Sequence, residues 1–287
     1  MVIDAHNHPD WHGHDLDRHL ENMDRNGIDK CWILSWECPD DEYDPAAYNK
    51  AMLRLDKHGP IPFARCLSYA ERARDRFVLG YAPDPRRSDA IDSLQAAVAI
   101  HGVQVYGELK LRMMFDNLDA MRMYRYCGEA GLPVTVHIDY EFASGGSYPR
   151  PNYWYGGGIE PFERAVAGCP ETIFIGHAPG FWGHWSADDR PDVDIYPTGS
   201  VEPGGKVVEM MRTYPNLWCD LSAGSAKRAM QRDTEYTVQF LLEFQDRILY
   251  GRDDFDNDQQ ELLRGLGLPD DVLTKILSGN ALKLAPL

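Results

Sequence analysis

Short apolar runs and longer amphipathic stretches alternate along this 287-residue chain from one end to the other. The β-rich runs are Val2–His6, Lys30–Ser35, Phe77–Tyr81, Val103–Leu111, Pro133–Ile138, Thr172–His177, Leu217–Leu221 and Ile248–Gly251. Between them lie segments of helical periodicity or propensity: Leu16–Asn26, Pro45–Lys57, Arg86–His101, Leu118–Ala130, Pro161–Ala167, Gly205–Tyr214, Thr234–Phe244 and Gln259–Gly265. Several end where steric rules stop a helix, at Gly27, Gly131 and Gly168 or before Pro215. Eight strands, each followed by a helix, predict a (β/α)₈ TIM barrel. A doubly wound open sheet is the rival, but no Gly-x-Gly-x-x-Gly follows the first strand. No linker, repeat or low-complexity stretch divides the chain, so residues 1–287 read as a single domain.

The barrel reading gives meaning to the strand ends, because barrels carry their functional groups at the carboxyl rim. His137 closes Val134-Thr135-Val136, His177 closes Ile173-Phe174-Ile175-Gly176, and Asp253 follows Ile248-Leu249-Tyr250-Gly251. The first strand runs into Asp4-Ala5-His6-Asn7-His8, and residues two apart on a strand share a face. A lone His-x-His is weak evidence, and His12-Gly13-His14 is a second instance in a loop. Recurrence at four strand ends is stronger, since buried imidazoles and carboxylates are costly unless paired or metal-bound. On strand four, Glu108 and Lys110 share a face; either could join a metal site, line the barrel as a pair, or reach substrate.

As a set, these residues make the chain resemble the amidohydrolase-related family of metal-dependent TIM-barrel hydrolases and decarboxylases. The resemblance rests on His6-Asn7-His8, His137, His177, Gly251-Arg252-Asp253 and the closing Leu277-Ser278-Gly279-Asn280-Ala281, and it covers nearly the whole chain. It implies that His6, His8, His137 and Asp253 are metal ligands, with Glu108 a candidate fifth. His177 would assist the metal-bound water as base or electrostatic helper, and Asp253 would also take its proton. Nitrogen and carboxylate donors suit Zn²⁺, with Mn²⁺ and Fe²⁺ as alternatives. The implied reaction is attack of a metal-activated water on an ester, lactone or amide. Non-oxidative decarboxylation of an aromatic or unsaturated acid is the alternative, and a barrel with a structural metal and no catalysis is the non-enzyme reading.

For substrate contact the sequence offers Lys110, Arg252 and Trp182. Arg252 departs from the small residue the family more often has there; it could turn outward or neutralise an acidic substrate. Trp154, Trp182 and Trp185 lie in the long connections Asp139–Glu160 and Ala178–Gly204. They could stack on a substrate ring, pack the loops, or form a contact in a homo-oligomer. Decarboxylation would need cations to orient the acid, and Arg65, Arg112, Arg150, Arg190 and Arg252 are candidates.

Composition narrows the partner to a small-molecule substrate. A net charge of −16 disfavours nucleic acid and anionic membrane surfaces. No apolar run reaches the roughly 18–20 residues that span a bilayer. The chain starts directly on a strand-like segment without a basic leader, and six scattered cysteines form no Cys-x-x-Cys pair. A cytoplasmic protein with buried free thiols is expected.

Overall fold

A computed structural model describes residues 1–42, 61–139 and 154–287 of the chain. Among the described residues eight strands run parallel: β1 (Ile3–Asn7), β2 (Lys30–Ile33), β3 (Phe77–Leu79), β4 (Tyr106–Leu109), β5 (Val134–His137), β6 (Phe174–His177), β7 (Leu217–Asp220) and β8 (Ile248–Leu249). They pair in sequence order, as β1 to β3 and as β4 to β8. Backbone hydrogen bonds join the two sets at both edges. Tyr81 N donates to Val105 O and Gln104 N to Leu79 O, both at 3.0 Å, beside a parallel bridge between Gly80 and Val105. At the other edge Ala5 N donates to Tyr250 O at 2.9 Å and Asp253 N to His6 O at 2.8 Å. The fold is the (β/α)₈ barrel that the alternating pattern predicts.

The sequence reading differs from the structure in several elements. The expected helix Pro45–Lys57 and the residues Tyr140, Tyr148, Arg150 and Tyr153 lie wholly or largely outside the described residues. Helices Phe63–Arg72 and Ala223–Gln231 were not anticipated. The first begins directly after Pro62 with no side-chain cap, and the second, AGSAKRAMQ, has too many small residues to show a clear apolar stripe. The strand on β4 is four residues long, shorter than Val103–Leu111. Among the described residues no helix is long and apolar enough to cross a membrane.

Two apolar layers follow from the strand alternation. Ile3, Ala5, Trp32, Leu34, Val78, Val105, Ile175, Trp218 and Leu249 fill the barrel interior. Ala281 and Leu284 of the helix Asn280–Leu284 pack onto this interior cluster. Gln104, two residues before β4, donates to Pro286 O, which places the chain terminus at the amino-terminal end of the barrel. Val2, Cys31, Ile33, Val134, Val136, Phe174, Leu217 and Ile248 face the surrounding helices.

Simple alternation breaks at the rim of two strands. The register of β1 on β2 shifts between Asp4 and Asn7, and that of β4 on β5 shifts between Tyr106 and Leu109. Asp4 therefore lies on the helix side, held by Arg252, which also bonds Asn22 of helix Leu16–Arg25. His6 turns the other way, although it is two residues on. Tyr106 likewise bonds Pro83 O outside the barrel while Glu108 enters it. Irregularities of this kind re-aim side chains beside functional sites.

Candidate metal centre

Five side chains from four strands meet at the carboxyl rim. His6 and His8 come from the end of β1, Glu108 from β4, His177 from β6 and Asp253 from just beyond β8. Glu108 Oε2 lies 3.3 Å from His8 Nε2, and Glu108 Oε1 lies 3.7 Å from both His6 Nε2 and His177 Nε2. Asp253 brings Oδ1 to 3.6 Å from His8 Nε2 and Oδ2 to 3.7 Å from His177 Nε2. Within this set, His6, Glu108 and His177 form one compact donor group, and His6, His8 and Asp253 a second.

Those spacings match a cation. Donors about 2.1 Å from one tetrahedral ion sit roughly 3.4 Å from each other. His6 Nε2, His177 Nε2 and Asp253 Oδ1 are buried and have no hydrogen-bond partner among the described residues. The opposite ring nitrogens are all engaged. His6 Nδ1 faces Asp220 Oδ2 at 2.8 Å, His8 Nδ1 faces Leu34 O at 2.9 Å, and His177 Nδ1 lies 3.0 Å from Asp220 Oδ1 and 2.8 Å from Ser222 Oγ. An imidazole that donates from Nδ1 presents a lone pair at Nε2, which is the ligating form. Soft thiolates are missing from the group, so nitrogen and oxygen donors define the chemistry. The residues fit a divalent cation.

Backbone geometry holds the donors in place. Asp253 adopts the left-handed conformation at φ 50°, strained for most residues but tolerated by Asp. Its amide is tied to His6 O. Gly251 leaves room beside it, because a Cβ there would meet the Cβ atoms of His6 and Ser222 at 3.1 Å.

Charge in the cluster is polarised. Burial alone would push the Glu108 carboxyl up, but His137, which shares a hydrogen bond with it, and the nearby His8 and His6 hold it well below the usual range. Asp220 is likewise buried, and His177 and His6 hold it far below the ordinary carboxylate value. On His6, burial and His177 oppose a proton, yet Asp220 and Glu108 outweigh them and raise its pKa. Ionised carboxylates in so dry a place favour a compensating cation.

The sequence-predicted residues are distributed unevenly. His6, His8, Glu108, His177 and Asp253 converge. His137 stands one step back: its Nδ1 contacts Glu108 Oε1 at 2.7 Å, and its Nε2 lies 3.4 Å from Asp139 Oδ2. The resemblance implies His137 as a donor and His177 as a helper; in this arrangement His177 Nε2 lies in the compact donor group with His6 and Glu108, and His137 reaches that group through Glu108. Lys110 lies on the His137 side, its Nζ 4.6 Å from the Trp36 ring centroid and 5.2 Å from that of Tyr155. Tyr155 in turn sits 6.4 Å from the His137 ring, with the Arg112 guanidinium 5.9 Å from its own.

Arg252 and Trp182, the expected substrate contacts, are engaged away from the donor cluster. Arg252 is buried and donates from Nε to Asp4 Oδ2 at 2.8 Å and from Nη1 to Asn22 Oδ1 at 2.7 Å, so its charge is spent behind β1. Trp182 packs in an aromatic cluster with Phe181, Trp185 and Phe240. Among the other candidate cations, Arg65 forks onto Asp10 and Arg190 onto Asp192. Arg112 Nε is buried without a partner among the described residues.

Sequence reasoning missed Asp220, Ser222 and Trp36. Asp220 was within reach of the same rule, since it closes the apolar run Leu217-Trp218-Cys219 just as His177 closes its own.

Comparison with known proteins yields one family and a set of shared folds. The amidohydrolase family model matches residues 3–287. An uncharacterised TIM-barrel protein from Bordetella bronchiseptica superposes with a TM-score of 0.61 at 17% identity, covering 99% of this chain and 97% of that one. A dihydroxybenzoic acid decarboxylase from Polaromonas sp., with bound manganese and 2-nitroresorcinol, gives 0.60 at 15% identity over 99% and 96%. A probable 2-pyrone-4,6-dicarboxylic acid hydrolase from Acinetobacter baumannii, with citric acid bound, gives 0.61 at 12% identity over 100% and 99%. A search of curated proteins finds no match.

Proposed function

The chain belongs to the amidohydrolase family, and from that premise we propose that it is a zinc-dependent hydrolase opening an ester, lactone or amide bond in a small carboxylate-bearing molecule. The coarser statement, a metal-dependent hydrolase or decarboxylase, follows from the family. The observation that carries the metal dependence is the set of buried, partnerless atoms, His6 Nε2, His177 Nε2 and Asp253 Oδ1, meeting beside Glu108. His6, His8, Glu108, His177 and Asp253 would hold the ion, with manganese as the alternative to zinc.

When bound, such a cation polarises a carbonyl and brings the pKa of water from about 15.7 toward roughly 7. The chain supplies the rest. Asp253 is the cluster's most accessible donor, its side chain 14% exposed against 0–3% for the other four. That accessibility supports Asp253 as the group that would accept the attacking water's proton and return it to the leaving group. His177 and His6, locked through their Nδ1 atoms, keep the donor geometry fixed as charge develops on the carbonyl oxygen. His137 shares a hydrogen bond with Glu108 and orients that carboxylate. Lys110 and Arg112, set against Trp36 and Tyr155 on the His137 side, form a cationic and aromatic wall suited to a planar acid.

That wall also favours the second reading, decarboxylation of an aromatic acid, the reaction that names the Polaromonas structure. Metal analysis, then turnover of lactones, esters, amides and hydroxybenzoates before and after chelation, separates the two. Acid release that stops on chelation and returns with zinc supports the hydrolase. CO₂ release from a hydroxybenzoate would replace it with the lyase. A purified protein that binds no divalent cation would remove both.

A further inference from the structure

We infer that Asp220 is a positioning residue that sets the tautomer of two metal-donor histidines at once, His6 from β1 and His177 from β6. The inference rests on the metal-site reading above and concerns a residue outside the donor set.

One carboxylate serves both rings. Its Oδ2 accepts from His6 Nδ1 at 2.8 Å, and its Oδ1 lies 3.0 Å from His177 Nδ1. The same Oδ1 accepts from Ser222 Oγ at 2.6 Å and Ser222 N at 3.1 Å. Ser222 Oγ in turn lies 2.8 Å from His177 Nδ1. With its proton directed at Asp220, the hydroxyl offers His177 a lone pair and not a donor. Asp220 is fully buried and can only accept while ionised.

Each neutral imidazole has one N–H, and an acceptor opposite Nδ1 draws that hydrogen there. Both Nε2 atoms are then bare, and both are the atoms without partners. His8 obtains the same tautomer from a backbone carbonyl, Leu34 O, and His137 interacts with Glu108. Two of the three imidazole donors therefore depend on a single side chain.

An Asn at this position has nearly the same shape but offers one acceptor oxygen and one NH₂. It can accept from one ring only, and the NH₂ facing the other favours a bare Nδ1 and a protonated Nε2, which cannot ligate. The test is nitrogen-15 NMR of histidine-labelled, metal-free protein, joined to zinc titration against a chromogenic chelator. In the unmodified protein His6 and His177 should both carry hydrogen on Nδ1; finding either neutral ring with hydrogen on Nε2 overturns the inference. In Asp220→Asn one ring should switch to Nε2–H and zinc affinity should fall about 10–100-fold, the range for outer partners of metal-bound histidines. Unchanged tautomers with unchanged affinity overturn it. Should the variant fail to fold, the spectrum of the unmodified protein decides. Absence of zinc binding in the unmodified protein would instead sink the metal reading, whatever the tautomers show.

Discussion

His177 and Trp182 stand five residues apart at the exit of β6, both buried, and they come to opposite ends. His177 presents a nitrogen with no partner to a point where Glu108 and Asp253 also arrive. Trp182 is enclosed by rings, with Phe181 at 5.2 Å, Trp185 at 5.6 Å and Phe240 at 6.2 Å between centroids. The indole nitrogens of Trp182 and Trp185 also lack partners among the described residues. An indole N–H, though, can only donate, and it offers a cation nothing. Burial of polar atoms is therefore not enough to mark a site. Several unmet lone pairs must aim at one place.

That contrast can be broken most forcefully at the donors. Glu108→Gln should abolish metal retention and cut turnover by about 10³-fold or more, the scale of losing metal activation of water. Normal zinc content would remove Glu108 from the donor set. His177→Ala and His137→Ala sharpen the point: metal should be lost from the first and largely kept in the second, with turnover reduced in both. The reverse pattern would restore the division that the family resemblance implies. At the wall, Lys110→Met should raise KM for a carboxylate substrate about 10–100-fold with kcat less affected; equal KM for the acid and its methyl ester would end its role. Trp182→Phe should leave KM unchanged and cost about 1–2 kcal/mol in urea unfolding, whereas a changed KM would return Trp182 to the substrate.

The smallest effect is expected at His19. Packed against Tyr69, Phe77 and Phe255, it has both ring nitrogens buried without partners among the described residues. Burial, with Arg252 nearby, holds its pKa well below 6.5. The folded state thus resists a proton that the unfolded chain takes up readily. Stability is complete above about pH 6.5 and declines as pH falls through that value. His19→Leu should flatten this slope and gain about 1 kcal/mol at most; an unchanged slope between pH 5 and 7 would assign the acid sensitivity elsewhere.

Much of this site was legible in the sequence because apolar strands ending in His or Asp are rare unless the rim has work to do. His6, His8, His177 and Asp253 were visible on that ground. How His137 and His177 divide the work is not legible there, since it depends on which nitrogen each ring has engaged, and one such partner, Asp220, comes from β7. For Arg252 the sequence leaves two outcomes open, turning outward or neutralising an acidic substrate, because its partner, Asp4, lies at the far end of the chain. The two-residue rule placed His6 and His8 together but could not foresee that Asp4 turns outward at the register shift on β1. The barrel itself was the easier inference, since it needs only the count and order of apolar runs.

The ring closes where its first strand meets its last, and two hydrogen bonds, Ala5 N to Tyr250 O and Asp253 N to His6 O, mark that seam. His6, His8 and Asp253 straddle it. An ion shared by them would act as a clasp on a loop almost as long as the polypeptide, and tethers across long loops withdraw the most freedom from the unfolded chain. Chelation should therefore loosen the hoop at this junction first, seen as faster amide exchange in β1 and β8 than in β5 and β6.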